Sequence, residues 1–125
     1  MTAYKGRCLC GAVTLTADGP PESVVACHCV SCRRFSGTPV TVYADYNRER
    51  IQFTGEKATE CETSPGSYRG FCGRCGSSIY FRGENLPDMI HLLTGVFDKS
   101  ENFVPAMKEH DETRLPFIHL HLKEK

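Results

Sequence analysis

Residues 27–34, with the sequence CHCVSCRR, are the stretch around which this chain is organised. Cys27, Cys29 and Cys32 fall within six residues, and three thiols cannot all pair with one another as disulfides. They can converge on one zinc ion, and three protein ligands leave a fourth position for water or substrate. The spacing therefore predicts a zinc site with these three cysteines as its ligands, and the site is catalytic if no fourth protein ligand closes it.

Length and composition limit the possible folds and partner classes. The 125 residues predict one domain, 1–125, and 11 glycines, 7 prolines and no tryptophan favour a turn-rich, mainly β protein. The formal net charge of zero argues against a protein that coats nucleic acid or an anionic membrane, because both depend on a basic surplus. No run approaches the ~20 apolar residues of a membrane helix, and residues 1–6 lack the apolar region of a secretory signal. We therefore expect a cytoplasmic protein.

The outer cysteine pairs predict a second metal site. A disulfide framework is the alternative, but C-x-C and C-x-x-C spacings without a secretory signal favour metal. In an extended segment Cys8 and Cys10 present both sulfurs on one side. Cys72 and Cys75, in CGRCG, form a knuckle that turns both sulfurs toward one ion. These four thiolates predict a closed, structural zinc site, which makes two zinc ions in all.

Cys61 leaves the nature of the middle site open. If Cys61 is a fourth ligand, both zinc sites are structural. If it is an ordinary thiol, the three-cysteine site keeps an exchangeable position. Two glutamates flank Cys61 in TECET, and further negative charge is unfavourable beside a thiolate cluster, so the spacing favours the open site.

The pattern of the chain predicts short strands and little helix. Alternating or apolar β-rich runs predict strands, and SPGS at 64–67 predicts a hairpin turn. A short helix should follow the thiols, with Ser31 as its N-cap and Gly37 at its end. If residues 23–29 are extended, His28 points away from its two cysteine neighbours, which favours a structural role over that of ligand or base. The predicted strands are 12–17, 23–29, 39–43, 50–54, 79–81 and 89–93, with a loop at 45–48 and surface histidines at His119 and His121.

A zinc ion with three thiolates suits thiol chemistry. Its formal charge is −1, so it polarises water weakly but holds another soft sulfur ligand well. A bound thiol then loses its proton and becomes a nucleophile or a leaving group. Arg33 and Arg34 are candidate binders of the carboxylates of such a substrate, and surface salt bridges are the alternative.

Several ordered motifs resemble the glutathione-dependent formaldehyde-activating enzyme family, which includes centromere protein V and shares a zinc-containing β-tent fold with a Rab-binding chaperone family. The matches are GRCLCG at 6–11, CHCVSCR at 27–33 with the following Gly37, FCGRCG at 71–76 and GVFD at 95–98. They span most of the chain. Phe117 stands where many members carry Trp, and Lys108 lies near where some carry His.

This resemblance implies a β-tent of short antiparallel sheets and the same division of the cysteines. The outer pairs would hold a structural zinc and the middle three a catalytic zinc. The implied activity is that of a carbon–sulfur lyase that interconverts glutathione plus formaldehyde and S-(hydroxymethyl)glutathione, or acts on a related thiol adduct. The chaperone branch implies the alternative, a non-catalytic protein in which zinc supports a binding surface. The sequence does not define the oligomeric state or the residue that moves the hydroxyl proton.

Overall fold

The computed structural model describes residues 2–123, and most of its elements are β-strands. One short α-helix follows the third strand among these residues, and brief 3-10 turns join later strands. In chain order the elements are β1 (Ala3–Arg7), β2 (Val13–Asp18), β3 (Ser23–Cys27), α1 (Val30–Ser36), β4 (Thr41–Asn47), β5 (Ile51–Gly55), β6 (Thr59–Ser64), β7 (Ser67–Phe71), β8 (Ser78–Gly83), β9 (Met89–Leu93) and β10 (Met107–Glu109).

The strands form two sheets. A small sheet has the order β1-β2-β5, and a large sheet has the order β10-β3-β4-β9-β8-β7-β6. All pairings are antiparallel except that of β10 with β3, which is parallel. The prediction of a mainly β fold with short antiparallel sheets and little helix is confirmed.

The main core lies where β2 of the small sheet packs on one face of the large sheet. Val13, Leu15 and Ala17 alternate along β2 and are almost fully buried. The cluster that they join includes Tyr46 of β4 and Leu92 of β9, both of which have no exposed surface. Burying a large apolar side chain contributes about 1.5–3 kcal/mol, so this cluster stabilises the contact between the sheets. One face of the large sheet is thereby occupied.

The opposite face of the large sheet carries a row of chemically active side chains. Residues directly opposite each other in neighbouring strands point to the same face of a sheet. The register therefore aligns one residue from each of six strands on this second face, and these residues are Ser23, Asp45, His91, Phe81, Arg69 and Cys61.

Helix α1 begins one turn after β3 ends, with Cys29 as its N-cap. Cys29 is extended (φ −68°, ψ 151°), and its sulfur accepts the backbone N–H of Cys32 at 3.2 Å. The prediction of Ser31 as N-cap was wrong, because the N-cap is Cys29, two residues before Ser31. The prediction of Gly37 as the helix end is confirmed. Gly37 is left-handed (φ 69°) and donates its N–H to the Arg33 carbonyl at 2.7 Å.

One other local prediction differs from the structure. Residues 45–47 belong to β4 rather than to a loop, because Asp45 and Asn47 pair with His91 and Met89 of β9. The polar Asp45 thus lies inside a strand. His119 and His121 are exposed as predicted. No helix in residues 2–123 is both long and apolar enough to cross a membrane.

Gly70 is required by the packing of β7 against β8. A Cβ at this position would overlap the ring of Tyr80, its cross-strand partner, whose hydroxyl donates to Glu60 at 2.6 Å. We expect Gly70→Ala to lower the free energy of unfolding by roughly 1–3 kcal/mol, the usual cost of overpacking. Denaturant titration measures this. Gly95→Ala is the control, because a Cβ on Gly95 meets nothing within 4 Å, and equal losses in both variants would contradict the assignment.

Candidate metal centres and the adjoining cavity

The outer cysteine pairs come together in the structure. The sulfurs of Cys8, Cys10, Cys72 and Cys75 all lie within 4.8 Å of one another. Cys8 and Cys10 are 3.6 Å apart, and Cys10 and Cys72 are 3.8 Å apart. Tetrahedral zinc with bonds of about 2.3 Å places its sulfurs about 3.8 Å apart, so the four residues fit zinc. This group joins the loop after β1 to the β7–β8 connection.

Backbone and hydroxyl donors surround these sulfurs. The N–H of Val13 donates to Cys8 at 3.3 Å, and the N–H groups of Arg74 and Cys75 point at Cys72 at 3.4 and 3.5 Å. Ser77 lies 3.1 Å from the Cys75 sulfur and is the main cause that lowers the pKa of Cys75 to about 5. Such donors favour the thiolate, which is the form that binds metal.

Cys27, Cys29 and Cys32 also form a group, with their sulfurs within 4.8 Å of one another. The strand-to-helix transition brings them together, because Cys27 ends β3, Cys29 caps α1 and Cys32 lies in its first turn. The Cys27 thiol donates to the Cys32 sulfur at 3.5 Å, which lowers the pKa of Cys32 and raises that of Cys27. This donor set fits a soft metal ion such as zinc.

Arg69 and Tyr43 surround the Cys32 sulfur, and the sequence analysis missed both. The Tyr43 hydroxyl donates to this sulfur at 3.3 Å, and the Arg69 guanidinium lies 3.6 Å from it and 3.3 Å from the Tyr43 oxygen. Arg69 is only 6% exposed and packs over the rings of Phe35 and Phe81. Burial, followed by the charge of Cys32, raises the pKa of Tyr43, so its hydroxyl remains a donor. Both contacts further lower the pKa of Cys32.

Cys61 lies outside both sulfur groups. It is exposed on the edge strand β6, directly opposite Arg69 of β7. The residue that contacts the Cys32 sulfur is Arg69, not Cys61. A third set of potential ligands shares Cys27 with two exposed residues of the C-terminal segment, Glu109 and His110. His110 adopts a left-handed backbone (φ 55°) directly after β10.

His28 lies between Cys27 and Cys29 in sequence, and its side chain is buried. It is 1% exposed, and within residues 2–123 neither of its ring nitrogens has a hydrogen-bond partner. Its backbone is fixed, since its N–H donates to the Glu109 carbonyl at 3.0 Å and its carbonyl accepts from the Thr113 hydroxyl at 2.7 Å. Burial lowers the pKa of His28. Its ring nitrogens belong to neither sulfur group.

A cavity of about 580 Å³ adjoins the three thiols. This volume falls in the range of small-molecule sites. Neither Arg33 nor Arg34 is among its lining residues, and Arg34 lines a different cavity beside Gly37. The carboxylate-binding role of these arginines stays a prediction. The residues around the cavity include Cys27, Cys29, Cys32, Tyr43, Asp45, Arg69, Phe81, Glu84, Leu86, His91, Glu109 and His110.

An imidazole–carboxylate pair forms part of the cavity wall. The Nδ1 atom of His91 lies 2.6 Å from one oxygen of Asp45, and the Ser23 hydroxyl donates to the other oxygen at 2.7 Å. The side chains of His91 and Asp45 are 16% and 14% exposed. The sequence analysis missed this pair, because it placed Asp45 in a loop rather than in β4.

The metal content should separate the role of Cys8 from that of Cys61. We expect Cys8→Ser to lose one zinc equivalent and much of its stability, because structural zinc contributes directly to folding. Cys61→Ser should retain the zinc content and stability of the wild type, since its sulfur lies outside both groups. Elemental analysis and thermal unfolding measure both. Loss of zinc from Cys61→Ser would contradict the geometry.

Arg69 should stabilise metal at the middle site and not at the outer one. We expect Arg69→Gln to release one zinc about 10–100-fold faster to a chromogenic chelator, because hydrogen-bonding partners of metal ligands contribute effects of this size. Arg69→Lys keeps the positive charge, so its rate of zinc release should lie between those of the wild type and Arg69→Gln. Arg82→Gln is the matched control, because Arg82 pairs with Glu60 instead. Equal release from Arg69→Gln and Arg82→Gln would show that Arg69 does not act on the thiols.

Comparison with known proteins identifies the family. The sequence model of the glutathione-dependent formaldehyde-activating enzyme family matches residues 3–112. An uncharacterized lyase of Schizosaccharomyces pombe is 28% identical over 102 residues, 82% of this chain and 74% of the yeast protein. A crystal structure of a Rhodobacter sphaeroides protein shares the fold, with a TM-score of 0.68 at 18% identity over 84% of this chain and 99% of that one. The chain belongs to the glutathione-dependent formaldehyde-activating enzyme family.

Proposed function

We propose that this protein is a cytoplasmic, zinc-dependent carbon–sulfur lyase. It interconverts a thiol plus formaldehyde and the S-hydroxymethyl thiol adduct, with glutathione or a related small molecule as the thiol. The observation that carries the proposal is the opening of the three-cysteine group into a cavity of about 580 Å³. The family match and the lyase name of the yeast relative support it.

The middle cysteines and the outer cysteines have different roles in this proposal. A structural zinc ion at the outer group would join the loop after β1 to the large sheet. A zinc ion held by Cys27, Cys29 and Cys32 would act as a soft Lewis acid that favours the thiolate form of a bound thiol. Neither role uses Cys61.

Arg69 and Tyr43 supply positive charge and a hydrogen bond where the thiolates cluster. Three thiolates repel one another and any further thiolate that enters the cavity. The guanidinium, held 3.6 Å from Cys32, offsets part of this charge in a buried setting, where electrostatic effects are strong. The side chains of Phe81 and Leu86 add apolar surface to the cavity wall. This arrangement favours a substrate that brings its sulfur to the thiols and places its one-carbon unit along the wall.

The charges of the cavity bear on the choice of thiol. Glu84 and Glu109 contribute carboxylates to the lining, whereas the buried guanidinium of Arg69 is already engaged by Cys32. The carboxylates suit the ammonium group of an amino thiol such as glutathione. The two carboxylates of glutathione need cationic partners outside the lining, and we assign this role to Arg33 and Arg34.

Catalysis can be measured by NMR exchange between the free thiol and its hydroxymethyl adduct, since the spontaneous reaction provides the baseline. We expect the wild type to accelerate exchange and Cys32→Ser to abolish the acceleration, because the ligand set loses its most activated thiolate. Cys61→Ser should remain active. If the zinc-loaded wild type binds thiols without accelerating exchange for any of them, the lyase proposal is wrong and the protein is a non-catalytic binding protein.

The arginine assignment has its own test. We expect the double variant Arg33→Ala, Arg34→Ala to raise KM for the glutathione adduct about 2–5-fold, which corresponds to ~0.4–1 kcal/mol and lies within the range of exposed ion pairs. The KM for the adduct of glutathione diethyl ester should not change, because that substrate lacks both carboxylates. A Lys57→Ala variant serves as the control for a general loss of positive charge. An equal KM for glutathione in wild type and double variant would refute the assignment.

A further inference from the structure

We propose that His91 is the catalytic acid–base residue and that Asp45 positions it. The inference rests on the proposed lyase function and identifies the group that moves the hydroxyl proton. Both residues line the cavity that contains Cys27, Cys29 and Cys32. His91 belongs to β9 and Asp45 to β4, where the register places them directly opposite each other on the cavity face.

The hydrogen bonds of the pair define the tautomer of His91. A carboxylate can only accept, so the 2.6 Å contact with Asp45 places the proton on Nδ1 of His91. Nε2 has no hydrogen-bond partner among residues 2–123, which makes it the acceptor atom of the ring. The Ser23 hydroxyl occupies the other Asp45 oxygen at 2.7 Å, so the carboxylate cannot rotate away freely.

Aromatic neighbours hold the ring beside the thiol group. The Tyr43 ring meets the His91 ring edge-on, with centroids 6.4 Å apart, and the Phe81 ring lies 5.7 Å from it on another side. Tyr43 also donates to Cys32 at 3.3 Å, so a single side chain contacts both the imidazole and the thiols. The imidazole and the sulfur group therefore border the same space.

The other titratable groups of the cavity are less suited to this role. The Tyr43 hydroxyl is engaged with Cys32, and Glu84 accepts a hydrogen bond from Tyr68 at 2.9 Å. Glu109 and His110 are exposed. The Nδ1 atom of His110 lies 3.4 Å from a carboxylate oxygen of Glu112, a residue that does not line the cavity. His91 combines partial burial, a fixed tautomer and an available nitrogen, which are the features of a general base.

The proposed step is balanced in atoms and electrons. In the cleavage direction, Nε2 of His91 accepts the hydroxyl proton of the adduct RS–CH2–OH. The O–H electron pair becomes the C=O bond of formaldehyde, and the C–S bond breaks with its electrons on sulfur, which leaves as thiolate. In the reverse direction the thiolate attacks formaldehyde, and the imidazolium returns the proton to the oxygen. Asp45 stabilises the imidazolium in between.

The test compares His91→Asn and His91→Ala with the wild-type holoenzyme. Asparagine retains an amide donor near the Nδ1 position and thus the contact with Asp45, but it cannot exchange a proton. We expect kcat for thiol–formaldehyde exchange to fall about 10²–10⁴-fold in both variants, with little change in KM or zinc content. Added imidazole should restore part of the rate of His91→Ala and leave the wild type unchanged. His119→Asn, an exposed histidine outside the cavity, is the matched control.

Asp45→Asn tests the positioning role. We expect it to lower kcat, and the double variant Asp45→Asn, His91→Asn to lose no more than His91→Asn alone, because the two residues act as a unit. Asp98→Asn is the control. A wild-type rate in His91→Asn, or a low rate in His91→Ala that imidazole does not restore, overturns the acid–base role and leaves the lyase function intact. An inactive wild-type holoenzyme overturns both.

Discussion

The antiparallel register of the large sheet is the constraint on which the site depends. Because side chains alternate between the faces of a strand, a slip of one residue would move every one of them to the opposite face. Here the register places Asp45, His91 and Arg69 on the cavity face, while Tyr46 and Leu92 join the core. The core thus fixes the register, and the register fixes the wall of the cavity.

Much of the fold and of the grouping of the cysteines could be predicted from the sequence, because local spacing encodes it. Cysteines two or three residues apart in a turn, a knuckle or a strand-to-helix transition are brought near one another by local backbone geometry. The four-sulfur and three-sulfur groups are such cases. The helix end at Gly37 is another, since a left-handed residue after a short helix favours glycine. The N-cap was mispredicted, because Cys29 accepts the N–H of Cys32 where a serine was expected.

Arg69, Tyr43 and the His91–Asp45 pair could not be found in the same way. Arg69 is 37 residues from Cys32 in sequence, and Asp45 is 46 residues from His91. Asp45 meets His91 because β4 and β9 are neighbours in the large sheet, and Arg69 meets Cys32 because α1 packs near the cavity face of that sheet. No short sequence motif encodes either arrangement. A polar residue inside an apolar strand run, as His91 is in MIHLL, was the local signal available.

The burial of Arg69 gives an independent argument about the charge of the thiol group. A guanidinium is always protonated, and burying it without an anion is costly. Within residues 2–123 Arg69 forms no ion pair with a carboxylate, and its polar contacts are the Cys32 sulfur and the Tyr43 hydroxyl. Its burial therefore favours negative charge on the Cys32 sulfur, in the form of thiolate, in addition to the aromatic faces of Phe35 and Phe81. Neutral thiols would not balance Arg69, whereas thiolates, the form in which cysteine binds a metal ion, would do so.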